Sequence, residues 1–314
     1  MSDAKEFLFV EKYRPHTVDE CVLPARIKRV FQEYVNKKQI PNMMLSGGPG
    51  VGKTTAAIAM CEEIGLSYLM INASRERGID ILRVKVINYA STLSLTGGHK
   101  VIIMDEADSL TPDTQLALRG TIEEFSSNCT FILTCNFKSK LLDALHSRMP
   151  DVDFNLTNDE KQGMATAFFK RLKEILMLEG IKYTDPALVK IIQMYFPDYR
   201  RTLGELQRLS ISGLIDETIL AQMSDVRNIK ELAGFLKDKN FGEVRKWVVE
   251  NGDVDATRIF RKIYDALYEY MVPAGIPMAV IIISKYQYQS AFVADQEINL
   301  VACLTEMMVE CEFK

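Results

Sequence analysis

Between residues 42 and 154 four short apolar runs recur: Met43-Met44-Leu45, Tyr68-Leu69-Met70-Ile71, Val101-Ile102-Ile103-Met104 and Phe131-Ile132-Leu133. Each is followed by a polar or glycine-rich turn and then by helical spacing. Runs that are apolar on both faces and separated by helices predict a parallel sheet covered on both sides. Open sheets of this kind hold their ligands at the carboxyl ends of the strands, so chemistry is expected just after each run. From residue 155 the strand pattern stops. Thr157 with Glu160 gives a capping-box signature for a helix through Leu178, and further helices are expected over 186–195 and 199–209. From 229 to 314 the spacing is again helical. Ile259, Ile263, Leu267 and Tyr270 share one face, and Ile298, Val301, Thr305 and Met308 share another. The segment 278–283 is apolar all round, which predicts burial in its own domain or in an assembly. Three parts are expected: an α/β domain over 1–154, a small helical domain over 155–228 and an all-helical domain over 229–314.

Composition narrows the classes. A chain of 314 residues exceeds one compact core, and 47% apolar with 25% charged residues is the balance of a soluble globular protein, excluding disorder and fibrous repeats. The net charge of −4 (38 basic, 42 acidic) gives no bulk argument for nucleic-acid or membrane binding, and leaves a local basic face open. The six cysteines form no C-x-x-C pair, which excludes a zinc knuckle of usual spacing and points to a reducing compartment. No basic-then-apolar leader opens the chain. The longest apolar stretch, 271–284, is interrupted by Pro273, Gly275 and Pro277 and does not span a bilayer. A soluble, cytoplasmic protein without a membrane partner is expected.

Gly47-Gly48-Pro49-Gly50-Val51-Gly52-Lys53-Thr54 matches G-x-x-x-x-G-K-[ST] directly between a predicted strand and a predicted helix. Its glycines let successive backbone N–H groups face phosphate oxygens at a helix N-terminus. Lys53 reaches the β and γ phosphates of ATP, and the Thr54 hydroxyl is a ligand for Mg²⁺. The apolar run 101–104 enters Asp105-Glu106-Ala107-Asp108, which makes Asp105 the metal-side carboxylate and Glu106 the general base for the attacking water. The same letters spell the DEAD-box helicase motif, but a helicase of that kind needs a second motor domain, which the helical remainder does not supply. Asn136 ends the next strand, where a neutral amide can bond the γ-phosphate and the lytic water; a lone Asn there also reads as a turn residue. Arg148 reads either as a surface arginine or as a finger serving a neighbouring subunit, a role worth about 10³–10⁵ in rate. Arg200 and Arg201 open a helix in the second part, either as a solvated pair or as a cation that closes over the γ-phosphate.

With these motifs in place the chain resembles AAA+ sliding-clamp loader subunits over nearly its whole length. The carrying residues are Val10-Glu11-Lys12-Tyr13-Arg14-Pro15, the P-loop over 47–55, Asn72-Ala73-Ser74-Arg75-Glu76-Arg77-Gly78-Ile79 and Asp105-Glu106-Ala107-Asp108. Thr134-Cys135-Asn136, Ser147-Arg148 and Asp198-Tyr199-Arg200-Arg201-Thr202-Leu203 complete the set. The details are most similar to the ATPase subunit of tailed-bacteriophage clamp loaders, then to replication-factor small subunits. The resemblance implies a P-loop AAA+ nucleotide domain, a helical lid and an all-α collar that joins subunits. It implies that Val10, Glu11, Lys12, Tyr13 and Val22 line the adenine and ribose pocket, with Gly50, Val51, Gly52, Lys53, Thr54 and Thr55 at the phosphates. Asn136 is then the first nucleotide sensor and Arg200 the second, with Arg148 acting in trans. Helix N-termini near Arg77, Arg83 and Lys85 would face primer-template DNA, although four basic against two acidic residues over 75–85 is a modest patch. The implied partners are a sliding clamp, primer-template DNA, copies of the chain and a non-identical subunit in a five-membered complex. Two departures stand out: Met149 replaces the cysteine usual after Ser-Arg, and the four-cysteine zinc module of bacterial loader motors is absent. The rival expectations are another AAA+ DNA motor, such as a helicase loader or Holliday-junction motor, and a non-hydrolysing scaffold subunit.

Overall fold

The computed structural model describes residues 7–75, 82–92, 99–211, 213–216, 229–252 and 254–314. The chain divides into two units, Met1–Leu220 and Ala221–Lys314. The expected border at residue 228 lies outside the described residues.

In the first unit a short helix α1 (Phe9–Lys12) and the amphipathic α2 (Ala25–Lys37) precede strand β1 (Met43–Ser46). Helix α3 (Lys53–Ile64) follows the glycine-rich turn, then β2 (Tyr68–Asn72), a π-helical turn and α4 (Ile87–Ser91). Strand β3 (Lys100–Asp105), α5 (Pro112–Glu124), β4 (Cys129–Cys135), α6 (Asp143–His146) and β5 (Asp151–Asp153) complete this part. The five strands lie in the order β2-β3-β4-β1-β5, all parallel. Alternation along the pleat sends Met43, Leu45, Val101, Ile103 and Ile132 into one apolar layer and Met44, Ile102, Met104, Phe131 and Leu133 into the other. That is why the central strands read as unbroken apolar runs. Strand β5 has no such run: among the described residues it pairs only with β1, and its Asp151 and Asp153 are not buried.

The sheet gives way to α7 (Asn158–Leu178), α8 (Asp185–Tyr195) and α9 (Tyr199–Ser210). The capping box of α7 is formed, with the Glu160 carboxylate accepting from the Thr157 N–H at 3.0 Å. This region also contains a two-stranded parallel ladder, β6 (Lys182–Tyr183) with β7 (Leu214–Ile215), too short to register as strands in the sequence.

The second unit consists of α10 (Ile229–Lys237), α11 (Phe241–Glu250), α12 (Ala256–Tyr270), α13 (Ile276–Gln289) and α14 (Gln296–Glu310) around one apolar core. The expected α12 face is buried at Ile259, Ile263 and Leu267 and partly buried at Tyr270. The expectation for α14 is corrected, and that for 278–283 is met only in part within its own unit. In α14 the inward face is Asn299, Leu300, Cys303, Leu304, Met307 and Met308; of the expected face only Met308 is buried, Val301 and Thr305 are half-buried and Ile298 is 67% exposed. Asn299 turns in because its Nδ2 donates to the Tyr286 carbonyl at 3.0 Å, which rotates the buried stripe away from the purely apolar one. The segment 278–283 is buried only at Ala279, Ile282 and Ile283; Met278 and Ile281 are 44% and 64% exposed. Met278 and Ile281 therefore face out of their own unit, while Ile282 and Ile283 face into it.

Candidate functional site

The carboxyl ends of β1, β3 and β4 open into a cleft whose remaining walls come from the N-terminal segment and from α7 and α9. The turn after β1 takes its shape from glycines that adopt positive φ, Gly50 at 72° and Gly52 at 92°, the latter opening α3. Lys53, buried at the start of α3, donates from Nζ to the Gly47 carbonyl (2.7 Å), the Gly48 carbonyl (2.6 Å) and Asn136 Oδ1 (3.0 Å). Burial pulls its ammonium below the usual lysine value, against the raising influence of nearby Cys135 and Asp105. Thr54 donates to Asp105 Oδ1 at 2.5 Å. The same oxygen accepts from the Thr134 hydroxyl at 2.6 Å, and Thr134 in turn accepts from the Glu106 N–H at 3.1 Å. Sequence reasoning places Thr134 in Thr134-Cys135-Asn136 without a role; its hydroxyl at the carboxyl end of β4, beside Asn136, is the signal that marks it. Glu106 itself has φ 57° and ψ 42°, a left-handed conformation that a non-glycine residue keeps only under local constraint and that concentrates at functional sites.

Of the residues singled out in the sequence, Val10, Tyr13, Val22, Gly50, Val51, Gly52, Lys53, Thr54, Thr55, Asp105, Glu106, Asn136 and Arg200 all line this one cleft. Three do not. Glu11 pairs with Arg14 at 2.8 Å, and Lys12 reaches the Glu179 carboxylate at 2.7 Å. The reason is helical: α1 turns Val10 and Tyr13, three apart, toward the cleft and the two residues between them away. Arg148 bonds the Glu123 carboxylate and the Ala144 carbonyl, outside the cleft lining. Arg77 lies outside the described residues, as does the Arg83 side chain; Lys85 is exposed.

The structure adds wall residues that local patterning did not reveal. Phe168, Arg171 and Ile175 of α7 and Tyr199 and Leu203 of α9 face the cleft. Tyr199 packs against the Phe168 and Phe196 rings, and burial pushes its phenol upward. Its N–H donates to the Gly50 carbonyl at 3.0 Å, while Asp198 caps α9 by accepting from the Arg201 N–H at 2.9 Å. Cys21 and Cys135 also line the cleft, but burial pushes both thiols up to about 12, so neither is a thiolate at neutral pH. Gln115, fully inside, donates to the Leu110 and Lys140 carbonyls (both 3.2 Å) and accepts from the Leu142 N–H (2.8 Å), tying α5 to the segment that leads to Arg148.

The donor set fits a triphosphate with a hard cation. Thr54 and Asp105 bring a hydroxyl and a carboxylate oxygen together, and among the described residues no group of three or more His, Cys, Asp or Glu forms a metal centre. Mg²⁺ is characteristically held by one or two protein oxygens, with substrate phosphates and water completing the shell.

A parallel sheet of this strand order, carrying a glycine-rich loop, a strand-end Asp-Glu pair and a helical cap over the cleft, defines an AAA+ P-loop ATPase. Residues 43–155 match the family described as ATPase family associated with various cellular activities (AAA), and 160–221 match the sliding-clamp-loader large subunit, AAA+ ATPase lid domain. The chain is 33% identical to the sliding-clamp-loader large subunit of Enterobacteria phage T4, with 99% of this chain and 98% of that one aligned. It is 35% identical to the replication factor C small subunit of Archaeoglobus fulgidus over 82% of this chain and 84% of that one. The chain therefore belongs to the sliding-clamp-loader family of AAA+ ATPases. Among solved structures, the Thermotoga maritima RuvB Holliday junction branch migration motor shares the fold, with TM-score 0.52 at 18% identity over 72% of this chain and 78% of that one. No helix among the described residues is long and apolar enough to cross a membrane.

Proposed function

We propose that this chain is the ATP-hydrolysing subunit of a loader that opens a sliding clamp and leaves it closed on primer-template DNA. The observation that supports this best is the convergence of Lys53, Thr54, Asp105, Glu106 and Asn136 on one cleft, in a chain akin to clamp-loader large subunits over almost its full length. A scaffold that only bound nucleotide would have no use for Glu106. Likeness to RuvB is at the level of fold and does not favour a junction motor.

In this reading Lys53 exchanges the Gly47 and Gly48 carbonyls for β- and γ-phosphate oxygens, trading neutral acceptors for charged ones. Asn136, already bonded to Lys53, turns its amide toward the γ-phosphate and the lytic water. Thr54 and Asp105 hold Mg²⁺, which neutralises phosphate charge when bound. Glu106 accepts the proton of the attacking water. Arg200, on the first turn of α9, senses the γ-phosphate from the lid. Arg148 lies outside its own cleft, as a residue serving a neighbour's ATP must. The 229–314 region forms the collar, joining copies of the chain and a non-identical subunit in a five-membered complex in the cytoplasm. The nucleotide domain would end near 154, where the last sheet strand gives way to α7, and the collar would follow the lid from 229.

Steady-state ATPase of the chain, with and without clamp, primer-template DNA and the partner subunit, tests the reading. Lys53→Ala and Glu106→Gln are expected to abolish turnover, with Glu106→Gln still binding ATP. Hydrolysis at the parent rate by either variant contradicts it.

A further inference from the structure

Phe168, Arg171 and Ile175 face the cleft from one side of α7, and Glu179, four residues beyond Ile175, caps the end of that same face. Its Oε1 accepts from the Tyr13 hydroxyl and from Lys12 Nζ, the latter at 2.7 Å. Two donors on one carboxylate oxygen, one of them charged, make a strong and directional grip. The Lys12 and Tyr13 donors together hold the Glu179 carboxyl below the usual glutamate range. Tyr13 is the residue with most to gain from that grip, because its ring forms part of the cleft wall. The ring is steadied from behind by Phe9, edge-on at 5.8 Å, and the Lys12 ammonium lies 5.4 Å from its centroid. The rest of the N-terminal segment is held by α9, where Gln207 accepts from the Phe9 N–H (3.0 Å) and donates to the Phe7 carbonyl (2.7 Å). The segment that carries Val10 and Tyr13 is thus fastened to the lid helices through named polar contacts.

We propose that Glu179 is a positioning residue for nucleotide recognition: its carboxylate fixes the Tyr13 ring in the cleft wall, so that affinity for the nucleoside part of the ligand depends on the lid. This rests on the reading of the cleft as an ATP site. It also accounts for Lys12, which faces away from the cleft and completes the carboxylate's coordination. The phosphate end is independent of this contact, since Lys53 and Thr54 are held by Gly47, Gly48, Asn136 and Asp105.

Titration calorimetry on the full-length chain with Mg-ATP and, separately, with Mg-tripolyphosphate separates the two ends of the ligand. Glu179→Ala is expected to weaken ATP binding about 5- to 20-fold and tripolyphosphate binding less than twofold. Glu179→Gln keeps an acceptor for the Tyr13 hydroxyl and is expected to recover much of the loss. Tyr13→Phe should weaken ATP binding in the same sense, and the Glu179→Ala/Tyr13→Phe double variant should be no weaker than the poorer single variant. Equal weakening of both ligands by Glu179→Ala, unchanged ATP affinity, or additive losses in the double variant overturns the proposal. Lys53→Ala is the control for the underlying reading: it should weaken both ligands, and if it weakens neither, the ATP-site assignment fails instead.

Discussion

Gly50 is where the lid meets the phosphate loop, and its replacement by alanine gives a quantitative test of that contact. An added Cβ would stand 1.8 Å from Asp198 Oδ1 and 2.4 Å from its Cγ, so the carboxylate has to move. Asp198 caps α9, and displacing a cap of this type costs about 1 kcal/mol. Gly50 also has φ 72°, where a Cβ adds about 1–2 kcal/mol of strain. Gly50→Ala should therefore destabilise the first unit by roughly 2–3 kcal/mol in total. Asp198→Ala should cost about 1 kcal/mol by itself. In the double variant the cap is already gone and the collision is relieved, so the total should stay near that of Gly50→Ala rather than rise by a further kcal/mol. Urea unfolding followed by circular dichroism, with the two units' transitions resolved, measures all three. Additive losses, or a Gly50→Ala cost below about 0.5 kcal/mol, would refute the collision and with it the coupling of loop to lid.

Arg148→Ala is expected to lower ATPase activity of the assembled complex by about 10³-fold or more while leaving ATP affinity of the isolated chain within twofold; an undiminished rate in the assembly disproves action in trans. Mixing Arg148→Ala with Lys53→Ala subunits should restore part of the activity, because each supplies what the other lacks. Gln115→Ala removes three hydrogen bonds from a buried position and should cost about 1–3 kcal/mol, read as a lower urea midpoint with unchanged slope. Glu160 has its carboxyl pulled below the ordinary range, first by the Thr157 N–H and then by Arg26. A depressed folded-state value adds stability that is present above the unfolded value of about 4.3 and is lost as the pH falls through the folded one. Glu160→Gln should accordingly flatten the acid side of the stability profile between about pH 5 and 3; an unaltered acid limb contradicts the capping-box account.

The parts of this fold that were legible are those whose cause is local. Unbroken apolar runs mark strands buried on both faces, and Thr157 with Glu160 three residues on marks the start of α7. The phosphate loop is read directly because its chemistry needs glycines, a lysine and a hydroxyl in fixed order. What escaped depends on partners distant in sequence. Strand β5 is three residues with acidic ends and exists only because β1 offers it a free edge. Thr134 matters through Asp105 and Glu106, nearly thirty residues earlier. Lys12 is separated from the cleft by the rotation of a single helical turn, which the motif could not express. The inward face of α14 follows Asn299, whose burial depends on a carbonyl in the preceding helix.

Lys53 spends all three N–H donors of its ammonium on acceptors from its own loop and from Asn136. In this arrangement binding of an anion is a swap of one full coordination of the ammonium for another. Capture should thus proceed with little rearrangement of the loop backbone, and the thermodynamic reward for binding should come from the difference in acceptor strength rather than from ordering. Chloride or sulfate, weaker anions of the right sign, would then be poor competitors, since neither improves on the carbonyls enough to dislodge them.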